Sequence, residues 1–319
     1  MRTTFIQTLL ELAEQDNEIW LLCGDLGYSV LEPFAARFPD RYLNVGVAEQ
    51  NMIGVAAGLA LSGKQVFCYS IANFPIMRCL EQIRNDVCYH RLNVRIVAVG
   101  GGLAYGAAGY THHGVEDLAV MRVMPYMTVL APADPVETRL ATQALAQQQG
   151  PAYLRLGKAR EPVVHTTAPE FAIGKAIRVR TGTDVCIIST GAMLESCVQA
   201  CDRLAELGVS AAVLSMPCLQ PLDVAAVHHA AQTMRAIITV EEHGIGGLGT
   251  AVAEVLAATP AHARFRALHL PAIPVQVAGS QTTLRANFGI DVKGIVHAAC
   301  ASVDIPPPEA HLAELSSNS

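Results

Sequence analysis

Apolar runs rich in β-branched residues alternate with amphipathic stretches along almost the whole of this sequence. These runs are WLLCG (20–24), KQVFCYS (64–70), VRIVAVGGG (94–102), MTVLAP (127–132), AYLRL (152–156), VCIIST (185–190), AAVLSM (211–216) and AIITVEE (236–242). Continuous apolar strands need cover on both faces, and helices formed by the intervening stretches can supply it. The alternation therefore predicts an α/β chain of βαβ units, with mostly parallel sheets covered by helices.

A segment with neither helix nor strand periodicity separates these runs into two groups. The segment GKAREPVVHTTAPEFAIGKAIRVRTGTD (157–184) contains Pro162, Pro169 and a pair of threonines, a composition typical of a linker. At 319 residues the chain has room for two domains of roughly 100–200 residues each. We predict a first domain over residues 1–165, a linker over 166–183, a second domain over 184–305 and a tail over 306–319.

Composition and charge narrow the class of protein. The sequence is 51% hydrophobic, its start reads as an amphipathic helix, and no apolar run reaches the ~20 residues of a spanning helix. We therefore expect a cytoplasmic globular protein. A net charge of −6 without Lys/Arg clusters argues against a nucleic-acid surface. Nine cysteines without a Cys-x-x-Cys pair indicate reduced thiols and no zinc site. Because a nucleic-acid surface is not indicated, we expect a small-molecule substrate.

A single acid, Glu49, stands where the apolar run NVGVAEQNMIGVAAGLAL (44–61) turns from strand to helix. An acid in a first helical turn can simply complement the helix dipole, a role worth under about 1 kcal/mol. However, Glu49 follows an apolar segment rather than a polar loop. Its carboxyl should therefore be partly desolvated, which favours a role in proton exchange. Gly54 and Gly58 make one face of the predicted helix small, so we expect close packing there.

Motifs spread over nearly the whole chain resemble those of a known enzyme family. They are GDLGYSVLEPF (24–34), FPDRYLNVGVAEQNMIGVAAGLAL (38–61), MRCLEQIRNDV (77–87), GYTHHGVEDLAVMRVMP (109–125), VLAPADP (129–135), GPAYLRLGK (150–158), VLSMPC (213–218) and VEEHGIGGLG (240–249). In this order the motifs resemble the C-terminal half of transketolases and of deoxyxylulose phosphate synthase. In particular, the chain is similar to the smaller, C-terminal subunit of split transketolases.

The resemblance implies thiamine diphosphate as cofactor and gives Glu49 a role. In this family the corresponding acid hydrogen-bonds N1′ of the aminopyrimidine, so that the 4′-amino group takes its imino form and can accept the C2 proton. Phe74 matches an aromatic residue under the pyrimidine ring, and the alternative for it is a core residue. Arg78, Asp25 and Tyr69 are further candidates for cofactor binding. The cofactor carries the hard chemistry, and the protein positions and tunes it.

The resemblance also implies substrate contacts. His112 matches a histidine that contacts the reacting oxygen of the substrate, a role suited to imidazole at neutral pH. Its neighbour His113 raises the alternative of a metal site, but adjacent side chains point apart and a third ligand is missing. Arg2, Ser29 and Lys158 match positions that bind a sugar phosphate, or they are ordinary surface residues. Lys158 replaces the usual arginine, so it offers a point charge without a bidentate fork.

The sequence lacks a motif that the cofactor needs. Enzymes of this kind hold Mg²⁺ and the diphosphate with a Gly-Asp-Gly motif followed by Asn, and GDLG (24–27) is not that motif. The resemblance therefore implies an N-terminal partner subunit that holds Mg²⁺ and the diphosphate, in an α2β2 heterotetramer. The loop VGGGLAYGAAGY (99–110) also lacks the extra His and Asp with which the family selects sugar hydroxyls.

Three functions remain open at this level. The first is a transketolase subunit that transfers a two-carbon ketol unit from a ketose, expected to be a phosphate, to an aldehyde. The second is the beta subunit of a 2-oxo acid dehydrogenase, which has a similar glutamate motif. The third is a regulatory paralogue without activity. Gly244–Gly249 has G-x-G-x-x-G spacing but no acidic residue about 20 positions later, so it predicts a close turn rather than a dinucleotide site.

Overall fold

The computed structural model describes residues 1–260 and 263–306, which form two α/β units. The strands are β1 (Ile19–Cys23), β2 (Tyr42–Asn44), β3 (Gln65–Ile71), β4 (Val94–Val99), β5 (Thr128–Leu130), β6 (Ala152–Leu156), β7 (Ile177–Arg180), β8 (Val185–Ser189), β9 (Ala211–Ser215), β10 (Cys218–Gln220), β11 (Ala236–Val240) and β12 (Arg264–Leu268). The helices are α1 (Arg2–Gln15), α2 (Glu32–Arg37), α3 (Glu49–Leu61), α4 (Phe74–Met77), α5 (Leu80–Gln82), α6 (Asp117–Arg122), α7 (Pro135–Gln147), α8 (Leu194–Glu206), α9 (Val224–Thr233), α10 (Leu248–Ala257), α11 (Gln281–Asn287) and α12 (Val292–Ser302).

The first sheet has seven strands in the order β10-β5-β6-β4-β3-β1-β2. All of its pairs are parallel except β10 with β5. Its central strands are buried over their full length, which is why they read as continuous apolar runs. Helix α3 covers one face of this sheet and α1 covers the other.

The second sheet has five strands in the order β12-β11-β8-β9-β7, with β7 antiparallel to β9. Helices α8 and α12 pack on one face, and α9 and α10 on the other. The predicted two-domain α/β fold with mostly parallel sheets is thus confirmed.

The chain crosses between the sheets in a way that the predicted boundaries did not include. Strand β7 lies inside the predicted linker 166–183. Its alternating pattern IRVR is that of an edge strand with one buried face, so it lacks the continuous apolar run by which strands are predicted from this sequence. Strand β10 lies in the range predicted as the second domain, but it pairs with β5 of the first sheet. Of the predicted tail 306–319, residues 307–319 lie outside the described part of the chain.

Helix α3 packs one face into the core and leaves another open. Met52, Ile53 and Ala56 are buried against the first sheet. The close packing expected at the small face is not found among the residues that the structure describes. A Cβ added to Gly54 or Gly58 would meet no atom within 4 Å, because that face points away from the sheet.

The structure also bears on two features considered from the sequence, membrane-spanning helices and cysteines. No helix of the described residues is long and apolar enough to span a bilayer. All nine cysteines are buried and unpaired, including Cys197 and Cys201 on α8. Both pack in the hydrophobic core of the second domain, so they serve as small apolar side chains.

A buried polar cluster joins the two domains. Arg155 on β6 lies 3.1 Å from Asp117 and donates from its guanidinium to the backbone oxygens of Gly114 (2.5 Å) and Glu242 (2.9 Å). His243 is fully buried beside this cluster, where its Nε2 accepts hydrogen bonds from the backbone N–H groups that begin α6. Burial lowers the pKa of His243 to about 4.

We expect His243 to make the folded state sensitive to acid. Its folded pKa of about 4 lies below the ordinary 6.5, so the unfolded chain binds more protons between these values. The contribution of His243 to the free energy of unfolding is fully present above pH 6.5. It decreases as the pH falls to about 4, by a total of about 3 kcal/mol. Denaturant unfolding of wild type and His243→Gln should show a flatter pH profile for the variant, whose amide oxygen can accept the same bonds.

The comparison with the variant isolates His243 from its neighbour Glu241. Burial raises the pKa of Glu241 to about 7, so its contribution has the opposite sign and is lost as the pH rises through that window. Glu241 is present in both proteins, and its effect cancels in their difference. Identical pH profiles for the two proteins would contradict the assignment to His243.

Candidate active site

Glu49 is the first residue of α3, at the carboxyl end of the first sheet. Its side chain is only 4% exposed, and its two carboxylate oxygens accept hydrogen bonds from Nη1 of Arg78 at 2.8 and 2.9 Å. The side chain of Arg78 remains 49% exposed. A buried carboxylate with one partly exposed cationic partner can exchange that partner for a ligand. The sequence-based expectation of a desolvated carboxyl therefore agrees with the geometry.

A row of stacked side chains extends from this ion pair. The Arg78 guanidinium lies 4.5 Å from the ring centroid of Phe74. The Phe74 ring in turn meets the imidazole of His112 edge-on, with centroids 5.4 Å apart. Phe74 starts the short helix α4 directly after β3, whereas His112 comes from the loop after β4. The structure thus brings together four residues predicted from the sequence, Glu49, Phe74, Arg78 and His112.

The two adjacent histidines have different surroundings. His112 is half-buried, and its Nδ1 lies 3.0 Å from the hydroxyl of Thr111. His113 is 1% exposed, its Nε2 lies 3.2 Å from the backbone oxygen of Gly106, and its Nδ1 has no partner among the described residues. The side chains point apart, and the described residues contain no group of three or more potential ligands for a metal.

Asn73 connects the two loops of the site, and the sequence analysis did not identify it. Its Nδ2 donates to the backbone oxygen of Thr111 at 2.7 Å, which ties the loop after β3 to the histidine loop. Its Oδ1 is buried without a partner among the described residues. A buried unpaired carbonyl next to Phe74 is a free acceptor for a ligand N–H group.

Tyr105 is a second residue of the site that the sequence did not reveal. Its ring lies 6.0 Å from the imidazole of His112 and 4.6 Å from Nζ of Lys158, which is exposed. Burial raises the pKa of Tyr105, and the nearby Arg2 guanidinium opposes this shift. Lys158, predicted to bind phosphate, therefore lies against the Tyr105 ring, and Arg2, predicted likewise, is near enough to influence the pKa of Tyr105. An aromatic residue in a glycine-rich loop has no sequence pattern that would have marked it.

Tyr69 does not belong to this row. Its side chain is 1% exposed and stacks on Phe5 of α1 at 6.2 Å. Burial raises its pKa. The expectation that Tyr69 contacts the cofactor is not supported, because alternation along β3 turns Tyr69 to the face opposite α3.

Asp25 and Ser29 lie in the loop after β1, and both are exposed. Asn44 holds this loop, because its side chain pairs with both the carboxylate (3.0 Å) and the backbone N–H (2.9 Å) of Asp25. The loop adjoins the site through Gly24, where an added Cβ would lie 3.7 Å from Cγ of Glu49. Asp25 and Ser29 therefore border the site without direct contact to its central row.

Comparisons with known proteins agree with the geometry. Residues 1–162 match the model "Transketolase, pyrimidine binding domain", and residues 174–295 match "Transketolase, C-terminal domain". The chain belongs to the transketolase family. This family depends on thiamine diphosphate. The buried Glu49 carboxylate and the unpaired Asn73 oxygen are acceptors, and the Phe74 ring is an apolar surface, that fit an aminopyrimidine.

Among its relatives are subunits of split transketolases. The chain is 41% identical to an apulose-4-phosphate transketolase subunit from Phocaeicola vulgatus, over 93% of this chain and 96% of that protein. It is 37% identical to a 6-deoxy-6-sulfo-D-fructose transketolase subunit from Clostridium sp., over 94% and 93%.

A solved structure gives the same result. A split-gene transketolase described as an inactive β4 tetramer superposes with a TM-score of 0.85 at 36% identity, covering 95% of this chain and 98% of that one. The chain is thus a C-terminal subunit of a split, thiamine diphosphate-dependent transketolase, as predicted, rather than a 2-oxo acid dehydrogenase subunit.

Proposed function

We propose that this transketolase subunit transfers a two-carbon ketol unit between substrates that carry a terminal anionic group, in a complex with an N-terminal partner. The observation that carries the proposal is the row of Glu49, Arg78, Phe74 and His112, which Tyr105 continues towards Lys158. One end of the row is suited to an aminopyrimidine, and the other end is suited to an anion.

Glu49 is proposed to bind the aminopyrimidine N1′ with one carboxylate oxygen. Arg78 contacts both oxygens, so it must give up one of its two hydrogen bonds. Its cation–π contact with Phe74 can keep the guanidinium beside the ring during this exchange. Asn73 Oδ1 is available to accept from the 4′-amino group. When bound, thiamine diphosphate supplies the nucleophilic carbon that the side chains of this chain lack.

His112 is proposed to hold or move the proton at the oxygen of the reacting substrate carbon. It is half-buried between Phe74 and Tyr105, so it can face both cofactor and substrate. Imidazole is suited to this transfer because its ordinary pKa is near neutrality. Asp25 and Ser29 border the same opening and are proposed as further contacts to cofactor and substrate, respectively.

An anionic substrate is supported by charge and by the relatives. Nζ of Lys158 lies 4.6 Å from the Tyr105 ring centroid, and the Arg2 guanidinium is near enough to oppose the rise that burial causes in the pKa of Tyr105, so two cations are near that residue. The names of two relatives specify a sugar phosphate and a sulfosugar, which share a terminal anion. A single ammonium group can attract either anion because it does not read bidentate geometry.

The partner subunit is proposed to hold Mg²⁺ and the diphosphate in an α2β2 assembly. The sequence of this chain carries no Gly-Asp-Gly…Asn motif. The open face of α3, with Gly54, Gly58 and the exposed Leu61, is a surface on which another subunit can pack closely. The related β4 tetramer is described as inactive, which supports a need for a second kind of subunit.

The isolated chain is therefore expected to bind thiamine diphosphate at least about a hundredfold more weakly than the co-purified complex, and to show no turnover. The reason is that the isolated chain lacks residues for the diphosphate, which contributes much of the binding free energy. Calorimetric titration with and without Mg²⁺ measures the difference, and light scattering on the complex gives its stoichiometry. Tight Mg²⁺-dependent binding by the isolated chain would contradict the shared site.

The reaction itself is tested with hydroxypyruvate as donor and an aldehyde as acceptor. Loss of CO₂ from this donor leaves a two-carbon unit, which joins R–CHO to give the ketose R–CHOH–CO–CH₂OH. The complex should form the ketose, and faster with erythrose 4-phosphate than with erythrose. Release of CO₂ without ketose formation would overturn ketol transfer.

A further inference from the structure

The backbone of its own loop determines the position of the Tyr105 ring. The loop follows β4, and Gly100 has φ +76°, a conformation that favours glycine. The Tyr105 ring lies directly over this glycine, where an added Cβ would be 2.0 Å from the ring carbon Cε2. Any larger residue at position 100 would displace the ring. The loop backbone therefore fixes where the ring lies.

The ring lies close to both the proposed reaction centre and the proposed anion site. Its centroid is 6.0 Å from that of the His112 imidazole and 4.6 Å from Nζ of Lys158. The Tyr105 side chain is half-buried, and its hydroxyl makes no hydrogen bond to the described residues. An accessible hydroxyl with free donor and acceptor capacity is available to a substrate.

The neighbouring side chains of the loop cannot form hydrogen bonds to the hydroxyl groups of a substrate. Ala104, Ala107 and Ala108 present only methyl groups, and Gly106 has no side chain. Among residues 103–108, Tyr105 alone therefore has a polar side chain. A substrate that extends from His112 to Lys158 comes close to the tyrosine ring, which neighbours both.

We propose that Tyr105 determines substrate specificity by selecting polyhydroxylated chains that carry a phosphate or sulfonate at the far end. Its ring supports the C–H face of the chain, its hydroxyl bonds one substrate hydroxyl, and its π face holds the Lys158 ammonium towards the anion. This inference rests on the proposed ketol transfer and names the substrate class of the same site. A two-carbon aldehyde reaches His112 alone and does not use Tyr105.

The test compares two acceptors in the assembled enzyme, with hydroxypyruvate as donor. Erythrose 4-phosphate is long and anionic, whereas glycolaldehyde is short and neutral. Tyr105→Phe keeps the ring and should lower kcat/KM for erythrose 4-phosphate about tenfold, through KM, as expected for one lost hydrogen bond. Tyr105→Leu removes the ring as well and should lower it about a hundredfold. Both variants should lose less kcat/KM with glycolaldehyde than with erythrose 4-phosphate, so the readout is the ratio of the two acceptors. Exchange of the cofactor C2 proton, which needs no acceptor, should proceed at the wild-type rate.

Tyr126→Phe is the matched control. Tyr126 also has a cation over its ring, with Arg91 at 4.0 Å, and its hydroxyl accepts a hydrogen bond from that arginine at 2.8 Å. It lies outside the site, so the ratio of the two acceptors should not change. This control separates a specificity effect from the general loss of a tyrosine hydroxyl.

Each other outcome identifies which proposal fails. If wild type makes no ketose from either acceptor, ketol transfer fails and the inference fails with it. If wild type makes ketose but the Tyr105 variants keep the wild-type acceptor ratio, only the specificity role is overturned. Equal losses for both acceptors, together with a lower melting temperature, would show that Tyr105 merely supports the loop.

Discussion

Replacing Glu49 with glutamine is expected to lower turnover of the assembled enzyme at least about a hundredfold, as when an essential proton-transfer contribution is lost. Glutamine has nearly the same shape as glutamate but cannot hold a negative charge opposite Arg78 or stabilise a protonated pyrimidine nitrogen. Steady-state kinetics gives the loss, and deuterium exchange at the cofactor C2 should slow in parallel. The assembly, measured by light scattering, should stay intact.

Glu195→Gln is the matched control for this variant. Glu195 is also an acid in the first turn of a helix, α8 of the second domain, where it complements the helix N-terminus. Its replacement should leave turnover unchanged and reduce stability by less than about 1 kcal/mol. If Glu49→Gln behaves like this control, Glu49 is merely a first-turn acid.

Replacing His112 with alanine is expected to lower turnover roughly ten- to a thousandfold, because a side chain that stabilises or transfers a proton at the reacting oxygen is lost. Exchange at the cofactor C2 should remain nearly unchanged, since that step needs no substrate. Single-turnover rates and C2 exchange, measured on the same preparation, separate the two steps. A parallel loss in both would place His112 in cofactor binding instead.

The neighbouring His113 supplies the contrast. It is buried, and its ring lies 3.2 Å from the backbone oxygen of Gly106. His113→Ala should therefore reduce stability by about 1–3 kcal/mol, with a milder effect on turnover. Denaturant unfolding measures the stability of each variant. A larger catalytic loss for His113→Ala at equal stability would show that His113, and not His112, faces the substrate.

The buried strands could be predicted from the sequence, and the edge strands could not. A central strand such as β4 is covered on both faces, so it reads as an unbroken apolar run. The edge strand β12 begins Arg264-Phe265-Arg266, and all three residues are exposed. Its residues therefore lack the apolar run that marks a central strand. The short strands β2 and β10 are three residues each, which is too few for a period to be detected.

The site was predictable to the extent that each residue belongs to a recognisable motif. Glu49, Arg78 and His112 each lie in a quoted motif, and Phe74 lies just before one, but their contacts do not follow from the motifs. The Glu49–Arg78 ion pair depends on how α3 and α4 meet at the end of the sheet, which the sequence does not specify.

Strand alternation also bears on the prediction for Tyr69. Residues along a strand alternate between faces, so Tyr69 shares the face of Phe67, which packs with α1. The intervening Cys68 faces the core that includes α3. Strand parity alone thus places Tyr69 away from the helix that begins with Glu49.

Strand β10 limits how far the two domains can be treated as interchangeable modules. Its residues Cys218–Gln220 follow β9 of the second sheet, yet they pair with Val129 and Leu130 and form one edge of the first. A chain cut in the linker, or a chimaera that takes its second half from a distant relative, would leave β5 with unpaired backbone groups. Open edges of this kind favour pairing with other chains and aggregation. Recombination between split transketolases should therefore succeed only where the residues around position 218 are inherited together with the first sheet.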